Sequence, residues 1–165
     1  MDVREYRSAD LDACRHLYAQ LVAHHREIYD DATIGGDDPG AGFDDYLSIP
    51  ERVMTWVATD GDTILGLTGL LWDGTEATIE PVVVDRHRRG NGIGRRLIET
   101  AIDESRRRGA TDVNLKPVAR NASAIQVFHE LGVRTLGHLQ LFMSLDRDAS
   151  YWRVGPELHG RPFDC

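Results

Sequence analysis

Apolar residues recur along this chain with two periods, and each change of period predicts a new element. Residues 3–7, "VREYR", alternate as a strand does. Leu11, Cys14, Leu17, Leu21 and Val22 follow at helical spacing, behind Ser8 or Asp10 as the capping side chain. From Ala23 to Asp45 the pattern turns polar, acidic and glycine-rich. That predicts a helix end and then a mobile loop, of a length that is often functional in a compact domain. A short helix around "FDDYLS" leads to Pro50. Strand runs at 52–59 and 63–72 flank "DGD", a hairpin signature, and a third run, 75–85, follows another Asp-Gly turn.

Residues 94–108 set Leu97, Ile98, Ala101, Ile102 and Ser105 on one helical face and charge on the other, with Gly109 as the stop. A strand over 111–118, a helix from Asn121 to Gly132 and a last strand over 138–146 complete the pattern. The order is β-α-α-β-β-β-α-β-α-β, an α+β layered fold with no repeat and no domain linker.

At 165 residues and 41% hydrophobic composition the chain is expected to form one domain with a substantial core. No apolar run approaches the ~20 residues of a membrane span, and the first residues, "MDVREYRSADLD", lack the apolar segment of a signal peptide. Two cysteines, Cys14 and Cys165, do not make a disulfide framework. The expectation is a reduced, cytoplasmic protein without a membrane partner. A net charge of -8 argues against a nucleic-acid partner, because phosphate-binding domains are usually basic. Lys116 is the only lysine; every other residue in the Lys+Arg total is arginine.

That acidity makes residues 86–96, "RHRRGNGIGRR", unusual: five arginines surround Gly90, Gly92 and Gly94 just before a predicted helix. A helix N-terminus presents unpaired N–H groups and the positive end of its dipole, so it attracts phosphate. Glycines permit tight-turn geometry and let a phosphate reach the backbone, while arginines add charge-assisted hydrogen bonds. The stretch reads as a pyrophosphate cradle. It is not a P-loop, since no Lys-Ser/Thr pair follows Gly94, nor the dinucleotide fingerprint, since its glycines alternate. A structural turn with a solvated arginine face is the other reading open at this point.

The residues themselves resemble the GNAT superfamily of acetyl-CoA-dependent N-acetyltransferases. The motif [QR]-x-x-G-x-[GA] is met by Arg89, Gly92 and Gly94, and its extended form by Val84 to Gly94; N-x-x-A-x-x-x-[YF]-x-x-x-G is met by Asn121, Ala124, Phe128 and Gly132. The resemblance runs to about Asp146. It implies a GNAT domain over 1–146, built on a mixed, mostly antiparallel sheet flanked by helices and splayed between strands 4 and 5. Residues 147–165 form a tail, apolar enough to pack on the domain or on the partner of a homodimer.

The resemblance further implies acetyl-CoA as co-substrate, no metal, and direct attack by a primary amine in a ternary complex. That amine belongs to a small molecule or to a peptide or protein. Backbone groups of Val82 and Val84 would bond the pantetheine arm and acetyl carbonyl. Amides of Arg89, Gly90, Asn91, Gly92, Ile93, Gly94 and Arg95 would hold the pyrophosphate, Asn121 would touch the cofactor arm, and Phe128 would pack near the thioester. As an N-cap, Asn121 has a purely structural reading as well.

Glu80 is the candidate proton relay. It stands four residues before Val84, which on a regular strand puts both side chains on one face; relatives often carry a carboxylate on this strand. Phe128 departs from the tyrosine many relatives use to protonate the leaving thiolate. That departure keeps open a second reading, a non-catalytic acyl-CoA-binding sensor or regulatory module. His24, His25, His87, His138 and His159 lack metal-ligand spacing. The acceptor is expected between the acidic segment around Asp30, Asp31, Asp37 and Asp38 and the fourth strand, which favours a cationic amine.

Overall fold

The alternating runs become strands that pair in the order of the chain. A computed structural model describes residues 1–143, 145 and 151–165. Two compact units divide it, residues 1–116 and 117–165. The first holds β1 (Asp2–Glu5), α1 (Leu11–Tyr29), α2 (Ala41–Leu47), β2 (Arg52–Asp60), β3 (Thr63–Asp73), β4 (Glu76–Val84), α3 (Ile93–Arg108) and β5 (Asp112–Asn114). Its sheet runs β1-β2-β3-β4-β5; the first four strands pair antiparallel and β4–β5 parallel. This is the mixed, mostly antiparallel sheet that the resemblance implies.

Period-2 alternation assigns the two faces of that sheet. Leu67 and Val83 join Cys14, Leu17, Phe43, Tyr46 and Val57 in a buried cluster under α1 and α2. Their neighbours Gly66 and Val84 turn to α3: a β-carbon on Gly66 would meet Leu97 at 3.2 Å and Ile93 at 3.4 Å, and one on Gly94 would meet Val84 at 3.4 Å. Leu17, Leu67 and Leu97 are essentially fully buried, each stabilising the fold by roughly 1.5–3 kcal/mol. Ile102, expected on the buried stripe of α3, is only half-buried.

Several boundaries differ from expectation. α1 does not stop near Ala23 but continues to Tyr29, ending at Asp30 in the left-handed conformation (φ 53°), which aspartate tolerates. His24, Arg26 and Glu27 extend the helix's polar side rather than breaking it, while His25 continues the stripe of Leu21 and Val22, where burial lowers its pKa. The loop that follows is therefore shorter, and it is pinned. Arg26 donates to the carbonyls of Ile34 (2.7 Å) and Gly36 (2.6 Å), while Arg15 pairs with Asp38 (2.5 Å) and with Asp44. Neither Ser8 nor Asp10 caps α1 through its side chain. Instead the Asp10 carboxylate accepts from Nη1 and Nη2 of Arg4, at 2.7 and 2.8 Å, and from the Arg7 N–H.

β5 covers only Asp112–Asn114 of the expected 111–118. The second unit contains α4 (Ala122–Glu130) and a hairpin of β6 (Val154–Leu158) with β7 (Arg161–Asp164). Residues 138–143, expected to open a last strand over 138–146, carry no regular structure; Ser144 and Asp146 lie outside the described residues.

Candidate functional site: an open strand edge and a glycine-arginine turn

The site in the first unit starts where pairing between β4 and β5 stops. Their parallel register matches Glu76 with Asp112, Ala77 with Val113 and Thr78 with Asn114, and goes no further. β4 continues six residues beyond, to Val84, still paired with β3 through Val82, Val83 and Val84. The Asp85 N–H donates to the Leu65 carbonyl at 2.9 Å, so Asp85 and Val83 direct their backbone groups at β3. Strand alternation then aims the N–H and C=O of Val82 and Val84 the other way, over the edge that β5 leaves. Of these groups, the Val84 carbonyl accepts from Arg89 Nε at 3.3 Å.

Beyond Val84 the chain folds tightly on itself. Arg88 N–H donates to the Asp85 carbonyl (2.9 Å), and His87 N–H to the Asp85 carboxylate (2.9 Å). The Asn91 amide caps the carbonyls of Arg88 (3.0 Å) and Arg89 (3.2 Å). Gly90 and Gly92 take φ of 78° and 76°, a region closed to most side chains, and a β-carbon on either would meet nothing within 4 Å. The conformation, not crowding within the protein, requires glycine there, and the space before the turn is open.

Gly92 is the N-cap of α3, whose first intrahelical bond is Arg96 N–H to the Gly92 carbonyl, 3.0 Å. The N–H groups of Ile93 and Gly94 precede that bond and point out of the helix end. A stabilised helix usually places acids in its first turn. α3 has none there; Arg95 and Arg96 stand in that turn instead. Positive side chains on the positive end of a dipole are unfavourable unless an anion shares the site.

Residues 13–133 match the Acetyltransferase (GNAT) family. The chain is a GNAT acetyltransferase. Its reaction is acetyl transfer to an amine, and acetyl-CoA is the donor that the family uses. Among its relatives is the L-methionine sulfoximine/L-methionine sulfone acetyltransferase of Salmonella typhimurium, 28% identical with both chains fully covered. Another is the L-amino acid N-acyltransferase of Escherichia coli, 28% identical over 80% of this chain and 78% of its own. A Bacillus halodurans crystal structure shares the fold with a TM-score of 0.73 at 21% identity, covering 88% of this chain and all of its own.

Glu80 of this GNAT chain sits at a break in the strand. Leu70 pairs with Ile79 but Thr68 pairs with Val82, so one β3 residue, Gly69, opposes both Glu80 and Pro81. This β-bulge, where a proline is tolerated, shifts the alternation by one. The expectation that Glu80 and Val84 share a face is therefore corrected. Val84 packs against α3, whereas Glu80 acts on the tyrosines of the α1–α2 face. Burial first, then the Glu80 charge and Asp45, raise the Tyr18 phenol; burial above all pushes Tyr46 up to about 12, with Glu80 adding to the rise. Both stay protonated donors at neutral pH.

Asn121 and Phe128 lie in the second unit, on α4. Asn121 is the helix N-cap: its side-chain oxygen accepts from Ala124 N–H (3.1 Å) and from the Ser123 hydroxyl (2.9 Å). Phe128 is half-buried on the same helix. Tyr151 packs edge-on against Trp152, centroids 4.8 Å apart, with the Arg120 guanidinium 5.9 Å over its ring. Of the acidic segment, Asp38 is matched by Arg15, and Asp31 accepts from the Thr33 N–H and hydroxyl.

Sequence reasoning missed three residues at the site. Nothing in the sequence singles out Tyr18 and Tyr46, and only the bulge brings Glu80 to their side. Gln20, on α1, donates to the Asp85 carboxylate (2.9 Å) and accepts from the Arg86 N–H (2.8 Å). A lone glutamine on a helix gives no signal in the sequence. No described helix is long and apolar enough to cross a membrane.

Proposed function

We propose that acetyl-CoA lies along the open edge of β4. Backbone groups of Val82 and Val84 meet its pantetheine arm and acetyl carbonyl, and the N–H groups of residues 89–95 hold its pyrophosphate. Asn121 meets the cofactor arm and Phe128 flanks the thioester. The observation that carries this reading is the α3 N-terminus, with two positive-φ glycines before it and arginines in place of acids.

An amine then attacks the thioester carbon directly in the ternary complex. It must be neutral to do so, and an aliphatic amine is mostly protonated at pH 7. Glu80 accepts the ammonium proton on the α1–α2 face and passes it to solvent. The C–N bond forms, the attacking nitrogen releases its second proton to solvent as the amide is made, the C–S bond breaks, and the thiolate leaves to be protonated by water, since Phe128 has no proton to give. No step calls for a metal.

The acceptor is the amine of an L-amino acid or a close analogue, reached from the α1–α2 side near Asp30, Asp31, Asp37 and Asp38. The names of two relatives, both acting on L-amino acids or their derivatives, support that class. The chain works as a cytoplasmic homodimer, with its transferase domain over 1–146.

A panel of amines, headed by L-methionine sulfoximine and L-methionine sulfone, followed by release of free CoA thiol, tests the acceptor. Gly92→Glu tests the cradle: it adds bulk and a like charge and is expected to weaken CoA binding at least about tenfold. Unchanged affinity by calorimetry in a folded variant rejects the pyrophosphate assignment.

A further inference from the structure

We infer that Gln20 is a positioning residue for the cofactor turn, a clamp reaching from α1 to the first residues after β4. Its amide is used at both ends: Nε2 donates to Asp85 Oδ2 at 2.9 Å, and Oε1 accepts from the Arg86 N–H at 2.8 Å. Only one orientation of the amide serves, because an ionised carboxylate only accepts and a backbone N–H only donates.

The other Asp85 oxygen accepts from His87 N–H (2.9 Å), and the Asp85 carbonyl from Arg88 N–H (2.9 Å). Asp85 is thus the anchor of the turn, and Gln20 holds the anchor. The bonds that Arg88 and Asn91 make stay within the turn. The Gln20 pair spans more than sixty positions of sequence and ties the turn to another element. Gln20 and Asp85 are both only partly buried, so the bond is not needed to close a core.

The consequence is pre-organisation. A turn held in its binding geometry before the ligand arrives loses less entropy when it binds. Loosening it weakens cofactor binding and leaves the chemical step intact, a rise in KM for acetyl-CoA at constant kcat. The inference rests on the pyrophosphate reading above, and Gly92→Glu serves as its control.

The test compares Gln20→Met, Gln20→Glu and the double variant Gln20→Glu with Asp85→Asn. Methionine keeps the length and loses both bonds. Glutamate keeps the acceptor for Arg86 N–H but sets a carboxylate against Asp85. In the double variant the amide introduced at position 85 donates to the carboxylate introduced at position 20. That restores the pair with its polarity reversed, while the amide oxygen still accepts from His87 N–H. Calorimetry with CoA is expected to show about tenfold weaker binding for Gln20→Met and a larger loss for Gln20→Glu. The double variant should recover most of it, with kcat at saturating acetyl-CoA unchanged throughout.

Parent-like CoA affinity in both single variants, with Gly92→Glu impaired, overturns the clamp and leaves the cradle standing. Parent-like affinity in all three overturns both. Lowered melting temperatures without a selective loss of CoA affinity, or a double variant no better than Gln20→Glu, reduce Gln20 to a structural contact and also overturn the clamp.

Discussion

The Tyr46 hydroxyl occupies the space that a β-carbon on Gly69 would need, and the Glu80 carbonyl lies 2.6 Å from the same point. Tyr46 is held there by Thr55, its hydroxyl 2.9 Å from Thr55 Oγ1, and it is 4% exposed. The bulge that carries Glu80, the glycine opposite it and the tyrosine of α2 therefore fix one another.

Gly69→Ala is accordingly expected to destabilise the fold by about 2 kcal/mol, the range of overpacked cores. Adding Tyr46→Phe removes the colliding oxygen and should recover part of that loss, although alone it costs about 1 kcal/mol through the Thr55 bond. Urea unfolding of the four proteins measures both. Additive losses would mean that the two positions do not press on each other.

Glu80→Gln keeps the shape at the bulge and removes the proposed proton acceptor. We expect kcat to fall by roughly 10²-fold near neutral pH while CoA affinity is retained. The deficit should narrow as pH rises, because the acceptor amine then deprotonates without help. Normal turnover at neutral pH takes the relay away from Glu80.

For Phe128→Tyr the expected result is activity within a few-fold of the parent, or above it, because the ring is kept and a proton donor is gained. Steady-state kinetics with the best acceptor of the panel decides. A large loss in a folded variant that still binds CoA would assign the role to the apolar ring itself.

Glu104 supplies a pH test of stability. Hydrogen bonds from Arg107 (2.8 and 2.6 Å) and Arg108 (2.7 Å) hold its carboxyl down to about 2. A folded-state pKa below the unfolded value means that the unfolded chain binds the proton first. Its contribution is therefore fully present above the ordinary glutamate value and lost as pH falls toward about 2. Glu104→Gln should flatten the acid limb of stability within that window, and added salt should do so partly, since Arg107 is well exposed. An acid limb identical in parent and variant would contradict the assignment.

Much of the site was legible because its signals are local. Turn glycines, a helix stripe closed by Gly109 and Asp-Gly hairpins act within a few residues, and they located β2 to β4, α3 and the turn between them. The cradle reading came from those glycines and arginines before a helix, and the family resemblance then named acetyl-CoA as what it would hold. What escaped depends on pairing across the sheet. The bulge at Glu80 and Pro81 is set by Gly69 and Tyr46, more than ten residues away, though Pro81 inside a strand run was a usable hint. The early end of β5 is likewise a matter of its partner strand. α1 was cut short because its last polar turn looked like loop, whereas a surface helix needs only one apolar face.

The turn proposed to meet the donor carries cations of a single kind. Arg86, Arg88, Arg89, Arg95 and Arg96 surround its glycines, and Lys116 is the only lysine in the chain. A thioester acylates any neutral amine near it, and a lysine of pKa ~10.4 is neutral often enough to be modified over many turnovers. A guanidinium stays protonated and offers no lone pair. In the proposed cradle, arginine would draw in the phosphates without becoming a substrate. An enzyme built this way can hold its reagent for long periods without acetylating its own binding loop.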